Sequence, residues 1–228
     1  MYLSLPSLFR LFLLASTLLF SACSSTTLAY KDTLELVFFP GDDVELSLKE
    51  IQQRQIPALY VRINDKPRAL LALAQTSETQ QRWISSDYGL LVLQQGRMVK
   101  LLGLQQQLLG QTVRQQDWLS KPLGLLRLGD QSQLVSDWSA VQFRGMESKI
   151  EVTAITNDTL TYFDQQLATT RVDEQVTFSS GEVVSNSFWF SATNGVLLKT
   201  QQQPLPNWIV FEVEFISEIA NIVSLVGR

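Results

Sequence analysis

The sequence predicts a mainly β protein, with an antiparallel barrel-like or sandwich architecture and a short helix near the N-terminus. Apolar and polar residues alternate over many short segments, and turn-forming residues separate these segments at intervals of roughly 8–12 residues. The chain has 228 residues, of which 45% are hydrophobic and 10% aromatic. It can therefore form a packed core in one large domain or two small ones.

The composition excludes several kinds of function. The chain contains no histidine and one cysteine. It therefore lacks a Ser-His-Asp triad, imidazole metal ligands, an internal disulfide and a cysteine-rich zinc or iron–sulfur site. Its net charge of −4 argues against a nucleic-acid partner, which normally meets a basic surface. The sequence has no glycine-rich phosphate loop, and we expect neither a cofactor nor a metal.

The N-terminal residues have the pattern of a bacterial lipoprotein signal. Arg10 is the only charged residue before Lys31, and the apolar run of residues 11–20 is too short to span a bilayer. Small residues then precede Cys23, whose thiol is the lipid acceptor in such signals. The alternatives are an ordinary secretory signal with a chance cysteine, or a buried N-terminal helix.

This pattern predicts the organisation and location of the chain. We expect a signal peptide at residues 1–22, a lipidated Cys23 with its tether at residues 23–30, and a β-rich periplasmic domain at residues 31–228. Ser24, rather than aspartate, follows the cysteine. This resembles the pattern of Gram-negative lipoproteins that are sent to the outer membrane and face the periplasm. Acyl chains such as palmitate anchor them, because each buried CH₂ contributes about 0.8 kcal/mol.

Two helices are predicted at the start of the β-rich domain. Residues 26–39 have apolar side chains at near-helical spacing, and Pro40 ends the pattern. Residues 47–52 predict a shorter helix, because Ser47 and Glu50 have the spacing of a capping box.

The period of the pattern then changes to two, which predicts hairpins. The predicted strands are residues 58–63, 68–74, 83–84, 90–93 and 97–102, with turns at residues 64–67 and 94–96. Residues 105–127 are rich in glutamine and leucine and have no clear period. Within them, residues 117–126 fit either a helix or a packed loop.

The second half is more uniformly β. The predicted strands are residues 138–143, 149–155, 160–163, 167–172, 174–178, 187–190, 196–202 and 209–216, with turns at residues 157–158, 179–181 and 193–195. The tail at residues 216–226 fits either a helix or a last strand. Residues 83–90 resemble residues 189–196, which suggests two related halves at 31–130 and 131–228. Unrelated hairpins also look alike, so both interpretations stand.

Tryptophans are the best candidates for ligand contact. The chain has five, and Trp83, Trp189 and Trp208 are the candidates for contact with glycan or a partner, because aromatic faces stack on sugar rings. The alternative is that tryptophans at strand ends fill a β core. Without histidine, glycan hydrolysis needs two facing carboxylates, and no motif brings two together, so we assign no catalytic residue.

Several segments resemble the group 4 capsule polysaccharide lipoprotein family (GfcB/YjbF). They are IPALYVRI at residues 56–63, RWISSD at 82–87 and GLLVLQQGRMVK at 89–100, with FWF at 188–190 and TNGV at 193–196. The resemblance covers nearly all of the expected mature chain. It implies a mainly β fold with a barrel-like core. It also implies partnership with an outer-membrane β-barrel and with periplasmic proteins of a polysaccharide export system, and it carries over no catalytic residues.

Together these observations predict an outer-membrane lipoprotein that supports capsule or exopolysaccharide production or export. Its role would be that of a non-enzymatic binding or assembly module, with the export barrel or the polysaccharide itself as partner. One alternative is a carbohydrate-active enzyme that uses paired carboxylates. The other is a lipid-carrying half-barrel with a dry apolar cavity.

Overall fold

Twelve antiparallel strands close into a barrel in the computed structural model, which describes residues 42–226. The strands are β1 Ala58–Ile63, β2 Ala69–Thr76, β3 Gln80–Ile84, β4 Leu90–Gln94, β5 Arg97–Leu102, β6 Leu108–Val113, β7 Gln131–Trp138, β8 Met146–Tyr162, β9 Gln165–Phe178, β10 Val183–Ser191, β11 Leu197–Gln202 and β12 Phe211–Glu214. Each strand pairs with its neighbours in sequence, and β1 closes the barrel against β12. The mainly β, barrel-like prediction is confirmed.

Short turns with left-handed residues connect several strands. Gln95 and Gly96 have φ values of 52° and 93° between β4 and β5, and Phe163 and Asp164 have 52° and 58° between β8 and β9. Two successive positive φ angles are typical of tight hairpin turns, whose twist matches that of the flanking strands. The turn predicted at residues 94–96 is thus confirmed, and the turn after β8 lies where the strand predicted at residues 160–163 ends, before the one predicted at residues 167–172.

Two α-helices lie within the described residues, α1 at Leu48–Gln52 and α2 at Ile216–Val226. The predicted capping box of α1 is confirmed: the Ser47 hydroxyl accepts from the Glu50 amide, and the Glu50 carboxylate accepts from the Ser47 amide at 2.8 Å. The two helices share a cluster of buried apolar side chains, which includes Ile51 and Ile219. Neither helix is long and apolar enough to cross a bilayer.

The barrel interior is filled because opposite walls meet. Strands β5 and β11 are not neighbours in the sheet, yet the Met98 amide donates to Gln202 Oε1 at 3.1 Å. Gln202 Nε2 in turn donates to the Gly96 carbonyl at 2.8 Å. The connection between β6 and β7 also enters this space, and it places Trp118 against Phe188 of β10 with 5.1 Å between ring centroids. Side chains from opposite walls and from the β6–β7 connection therefore occupy the interior of the barrel.

Some predicted elements are wrong. The strand predicted at residues 138–143 is shifted, because β7 ends at Trp138 and a 3-10 turn, Val141–Phe143, follows it. The Asp137 carboxylate closes this connection by accepting from the Gly145 amide at 2.8 Å. The turn predicted at residues 157–158 is instead the middle of β8, where Asp158 pairs with Thr169 of β9.

Two segments that fitted more than one structure from the sequence, residues 105–127 and the C-terminal tail, have defined elements in the fold. Residues 105–127 contain β6 and then a packed loop with two 3-10 turns, Trp118–Ser120 and Leu123–Leu125. The C-terminal tail is helix α2. The helix predicted at residues 26–39 lies outside the described residues. The division into two related halves stays a prediction, and the strands follow one another without interruption across residue 130.

Candidate functional site

A cleft of about 520 Å³ lies between the tip of the β8–β9 hairpin and the segment that leads into α1. Residues 45–46 form one wall, and residues 159–163 form the other. The side chains that carry its polar chemistry are Glu45, Tyr60, Arg68, Tyr162, Lys199 and Glu214. The start of α2, at Ile216, closes one end.

Strand register places the floor of the cleft on the outer face of the barrel. Phe188 faces the interior, where it contacts Trp118 from the β6–β7 loop. The next residue, Trp189, points to the opposite face, since side chains alternate along a strand. Trp189 of β10 is opposite Lys199 of β11. On its other side, Lys199 is opposite Glu214 of β12, and Glu214 is in turn opposite Tyr60 of β1. One outward-facing row therefore crosses four strands and runs into the cleft.

The Glu214 carboxylate is the centre of the floor. It is 8% exposed and accepts a hydrogen bond from the Tyr162 hydroxyl at 2.6 Å. Lys199 Nζ lies 3.5 Å and Arg68 Nη1 lies 3.6 Å from its oxygens. Burial of Tyr162, together with the negative charge of Glu214, raises the pKa of this tyrosine well above its ordinary value. Tyr162 is therefore a neutral phenol that donates to a carboxylate held between two cations.

Arg68 fastens the wall of the cleft to its floor. Its Nε donates to the Val44 carbonyl at 3.0 Å, and its Nη2 contacts Glu45 Oε1 at 3.0 Å. The guanidinium lies over the Tyr60 ring, 4.5 Å from its centroid, and the Tyr60 hydroxyl accepts from the Leu46 amide at 2.8 Å. Burial raises the pKa of Tyr60. The wall is thus held by backbone as well as side-chain groups.

A second charged cluster is closed inside the barrel. Arg97 is 2% exposed and forms bidentate pairs with both Asp117 and Glu174. Trp118 Nε1 donates to Glu174 at 2.5 Å, and Asn186 Nδ2 donates to it at 2.8 Å. Burial opposes the charge of Arg97, but the two carboxylates outweigh burial and raise its pKa. Because every member of this cluster is buried, we assign it a structural role.

Comparison with known proteins identifies the family. A family model described as "Group 4 capsule polysaccharide lipoprotein gfcB, YjbF" matches residues 31–216. The chain belongs to this family. The resemblance found in the sequence is thus confirmed. The family consists of lipoproteins from Gram-negative bacteria, and membership in it supports a capsule-related role.

Two curated relatives and one solved structure agree with this assignment. The chain is 26% identical over 214 residues to the uncharacterized lipoprotein GfcB of Escherichia coli K12, covering 92% of this chain and 95% of the relative. It is 35% identical over 85 residues to the uncharacterized lipoprotein YjbF of the same organism, covering 37% and 40%. The crystal structure of the hypothetical E. coli K12 lipoprotein YmcC superposes with a TM-score of 0.68 at 24% identity, over 75% of this chain and 88% of that one. The last comparison shows a shared fold.

The sequence-predicted contact residues lie in different environments. Cys23 is outside the described residues. Trp83 is 3% exposed and meets Phe215 edge-on, with 6.4 Å between ring centroids. Trp208 is half-buried against Trp138, with 4.9 Å between ring centroids. None of the three predicted contact residues, Trp83, Trp189 and Trp208, lines the cleft. Their contact roles stay predictions, and the burial of Trp83 favours packing.

Trp189 is the member of this group that adjoins the site. It is 6% exposed, and its indole donates to Asp158 Oδ2 at 2.8 Å. The Arg171 guanidinium lies 5.2 Å and Lys199 Nζ lies 5.7 Å from the centroid of its ring. Trp189 therefore orients Lys199, which belongs to the cleft.

Sequence reasoning missed the residues that line the cleft. A weak signal existed, since Lys199 is the one charged residue of β11. Such residues usually face solvent, and the sequence offers no means to see that β12 pairs with both β1 and β11. The cleft depends on that pairing.

The structure also bears on the two alternative functions, a carbohydrate-active enzyme with paired carboxylates and a lipid-carrying half-barrel. Glu45 and Glu214 are the two carboxylates that line the cleft, and Arg68 bridges them, whereas a glycosidase needs one of its carboxyls free as an acid. The matched proteins are named as lipoproteins, with no enzymatic activity in their descriptions. For the lipid carrier, a half-barrel was expected. The sheet instead closes, and its interior holds the Arg97 cluster.

Proposed function

We propose that this chain is an outer-membrane lipoprotein, anchored through Cys23 and facing the periplasm, that supports production or export of a capsule polysaccharide. Its role is that of a non-enzymatic module, which binds a segment of the glycan in the outer-face cleft. The partners are the outer-membrane β-barrel and the periplasmic proteins of the export system. The family assignment supports the capsule-related part of this proposal.

The observation that carries the glycan contact is the chemistry of the cleft. Two tyrosines, two cations and two carboxylates surround one open volume. Sugar hydroxyls both donate and accept hydrogen bonds, and the half-buried Tyr162 ring offers aromatic surface of the kind that packs against the C–H faces of sugar rings. A few convergent polar groups beside aromatic surface are the usual composition of a ligand site.

The glycan contact is tested with Tyr162→Phe. The variant keeps the ring but removes the hydroxyl that donates to Glu214, so the carboxylate at the centre of the floor loses one of the contacts that fix its position. We expect at least tenfold weaker binding of capsule oligosaccharide, measured by isothermal titration calorimetry, and about the same loss in capsule output in cells. Tyr88→Phe is the matched control, because Tyr88 is 89% exposed and lies outside the cleft. Equal binding by both variants contradicts the contact.

The anchor is tested separately. Radiolabelled palmitate should label the wild-type chain, and Cys23→Ala should abolish both labelling and recovery in the outer-membrane fraction. A Cys23→Ala chain that remains membrane-bound contradicts the anchor. Pull-down from outer membranes, with and without added polysaccharide, then separates a barrel partner from a glycan ligand.

A further inference from the structure

We infer that the cleft selects a neutral, hydroxyl-rich saccharide segment and discriminates against acidic ones. The inference rests on the proposed glycan contact and adds the chemical class of the ligand. It follows from how the charged groups of the cleft already pair with each other.

The charges that line the cleft balance. Arg68 and Lys199 are its cations, and Glu45 and Glu214 are its anions. Arg68 is held by Glu45 at 3.0 Å and by Glu214 at 3.6 Å. Lys199 is held by Glu214 at 3.5 Å and by Glu212, just outside the cleft, at 2.8 Å. Neither cation is left over for a ligand carboxylate.

A ligand carboxylate would have to displace one of these pairs. The side chains of Arg68 and Lys199 are 19% and 17% exposed, so solvent offers little replacement for the lost partner. Displacement would leave Glu214, which is 8% exposed, short of its counter-charge and close to a second anion. Removing the partner of a poorly solvated charge is costly, and like charges at short range repel.

A hydroxyl group meets no such penalty. Tyr60 is 3% exposed and its oxygen accepts from the Leu46 amide, so it is a fixed part of the floor that a ligand need not displace. The Glu45 side chain is 76% exposed, so its carboxylate can accept from a sugar hydroxyl without losing Arg68. The net charge of −4 on the whole chain adds weak long-range repulsion of a polyanion. Both short-range and long-range electrostatics therefore favour a neutral segment.

The test compares a neutral linear oligoglucose with an oligoglucuronic acid of equal length and linkage. We expect calorimetric binding of the neutral oligomer with a Kd that changes little with salt, and at least about tenfold weaker binding of the acidic one. Tighter binding of the acidic oligomer at low salt, lost at high salt, would overturn the selectivity but not the glycan contact. Binding of neither oligomer would overturn the contact itself, and the selectivity with it.

Glu214→Gln tests the cause of the selectivity. When Glu214 loses its negative charge, Arg68 and Lys199 are partly released to pair with a ligand carboxylate. We therefore expect the preference for the neutral oligomer to shrink by about three- to tenfold. Glu45→Gln, at an exposed rim position, should act in the same direction and keeps the test valid if Glu214→Gln unfolds. Glu147→Gln is the control, since its side chain is 60% exposed and pairs with Arg114. An unchanged preference in both cleft variants would refute the mechanism.

Discussion

Arg97→Met removes the one cation of the interior cluster and keeps most of its volume. In the native chain, the guanidinium joins Asp117 from the β6–β7 loop to Glu174 from β9, and all three are at most 6% exposed. The substitution leaves two carboxylates in the core without a counter-charge. Deleting one partner of a buried ion pair typically costs roughly 3–5 kcal/mol. In a domain of about 200 residues this corresponds to a fall in Tm on the order of 10 °C.

The pH dependence identifies the cause of that loss. Burial opposes ionisation of Asp117, but the charge and hydrogen bonds of Arg97 outweigh it and lower the pKa of this carboxyl. Its contribution to stability is therefore present above the unfolded pKa of about 3.9 and is lost as the pH falls through the folded value. In Arg97→Met, burial instead raises the pKa of Asp117, so acidification neutralises it. We expect the difference in free energy of unfolding to be largest near pH 7 and to shrink towards pH 4.

Urea denaturation followed by circular dichroism at both pH values measures this difference. Arg114→Met is the matched control, because the Arg114–Glu147 pair is 57% and 60% exposed at its side chains and should contribute at most about 1 kcal/mol. A similar loss in both variants, or a loss in Arg97→Met that does not depend on pH, would refute the assigned role of the cluster.

Two further substitutions test the local structure. Gly96 has φ of +93°, and a Cβ there would lie 2.1 Å from a methyl group of Leu197, so Gly96→Ala should cost roughly 1–3 kcal/mol in urea denaturation. Gly124→Ala, with no atom within 4 Å of its Cβ and no positive φ, should change stability little. Ser47→Ala removes the hydroxyl of the α1 capping box and should cost about 1 kcal/mol by the same measurement. Glu50→Gln should cost less, because an amide oxygen still accepts from the Ser47 amide.

Local chemistry made much of the fold predictable. The turn at residues 94–96 and the capping box of α1 are each decided by a few neighbouring residues, and both were recovered from the sequence. Asn157 and Asp158 misled the prediction, because these residue types favour turns when only their neighbours are considered. In the barrel they pair with Thr170 and Thr169 of β9, and the Asp158 carboxylate accepts from the Trp189 indole. Tertiary contacts outweighed local preference.

The candidate site was less predictable because it depends on distant pairing. Tyr60 and Glu214 are adjacent only because the first strand pairs with the last. Tryptophan was the natural residue to suspect as a sugar platform, yet the residues that line the cleft include tyrosines, Arg68 and Lys199. Alternation shows which side chains share a face of one strand. It does not show which strands meet.

Closure of the barrel also sets an order for its folding. β1 cannot complete its pairing until β12, only four residues long, has been synthesised, because Ile63 is opposite Phe211. Contacts between residues so far apart in sequence form slowly, whereas the long β8–β9 hairpin is local. A chain cut short before Phe211 would leave two open edges on β1 and β11, which are templates for aggregation. Residues 211–214 are therefore the segment that removes both open edges at once.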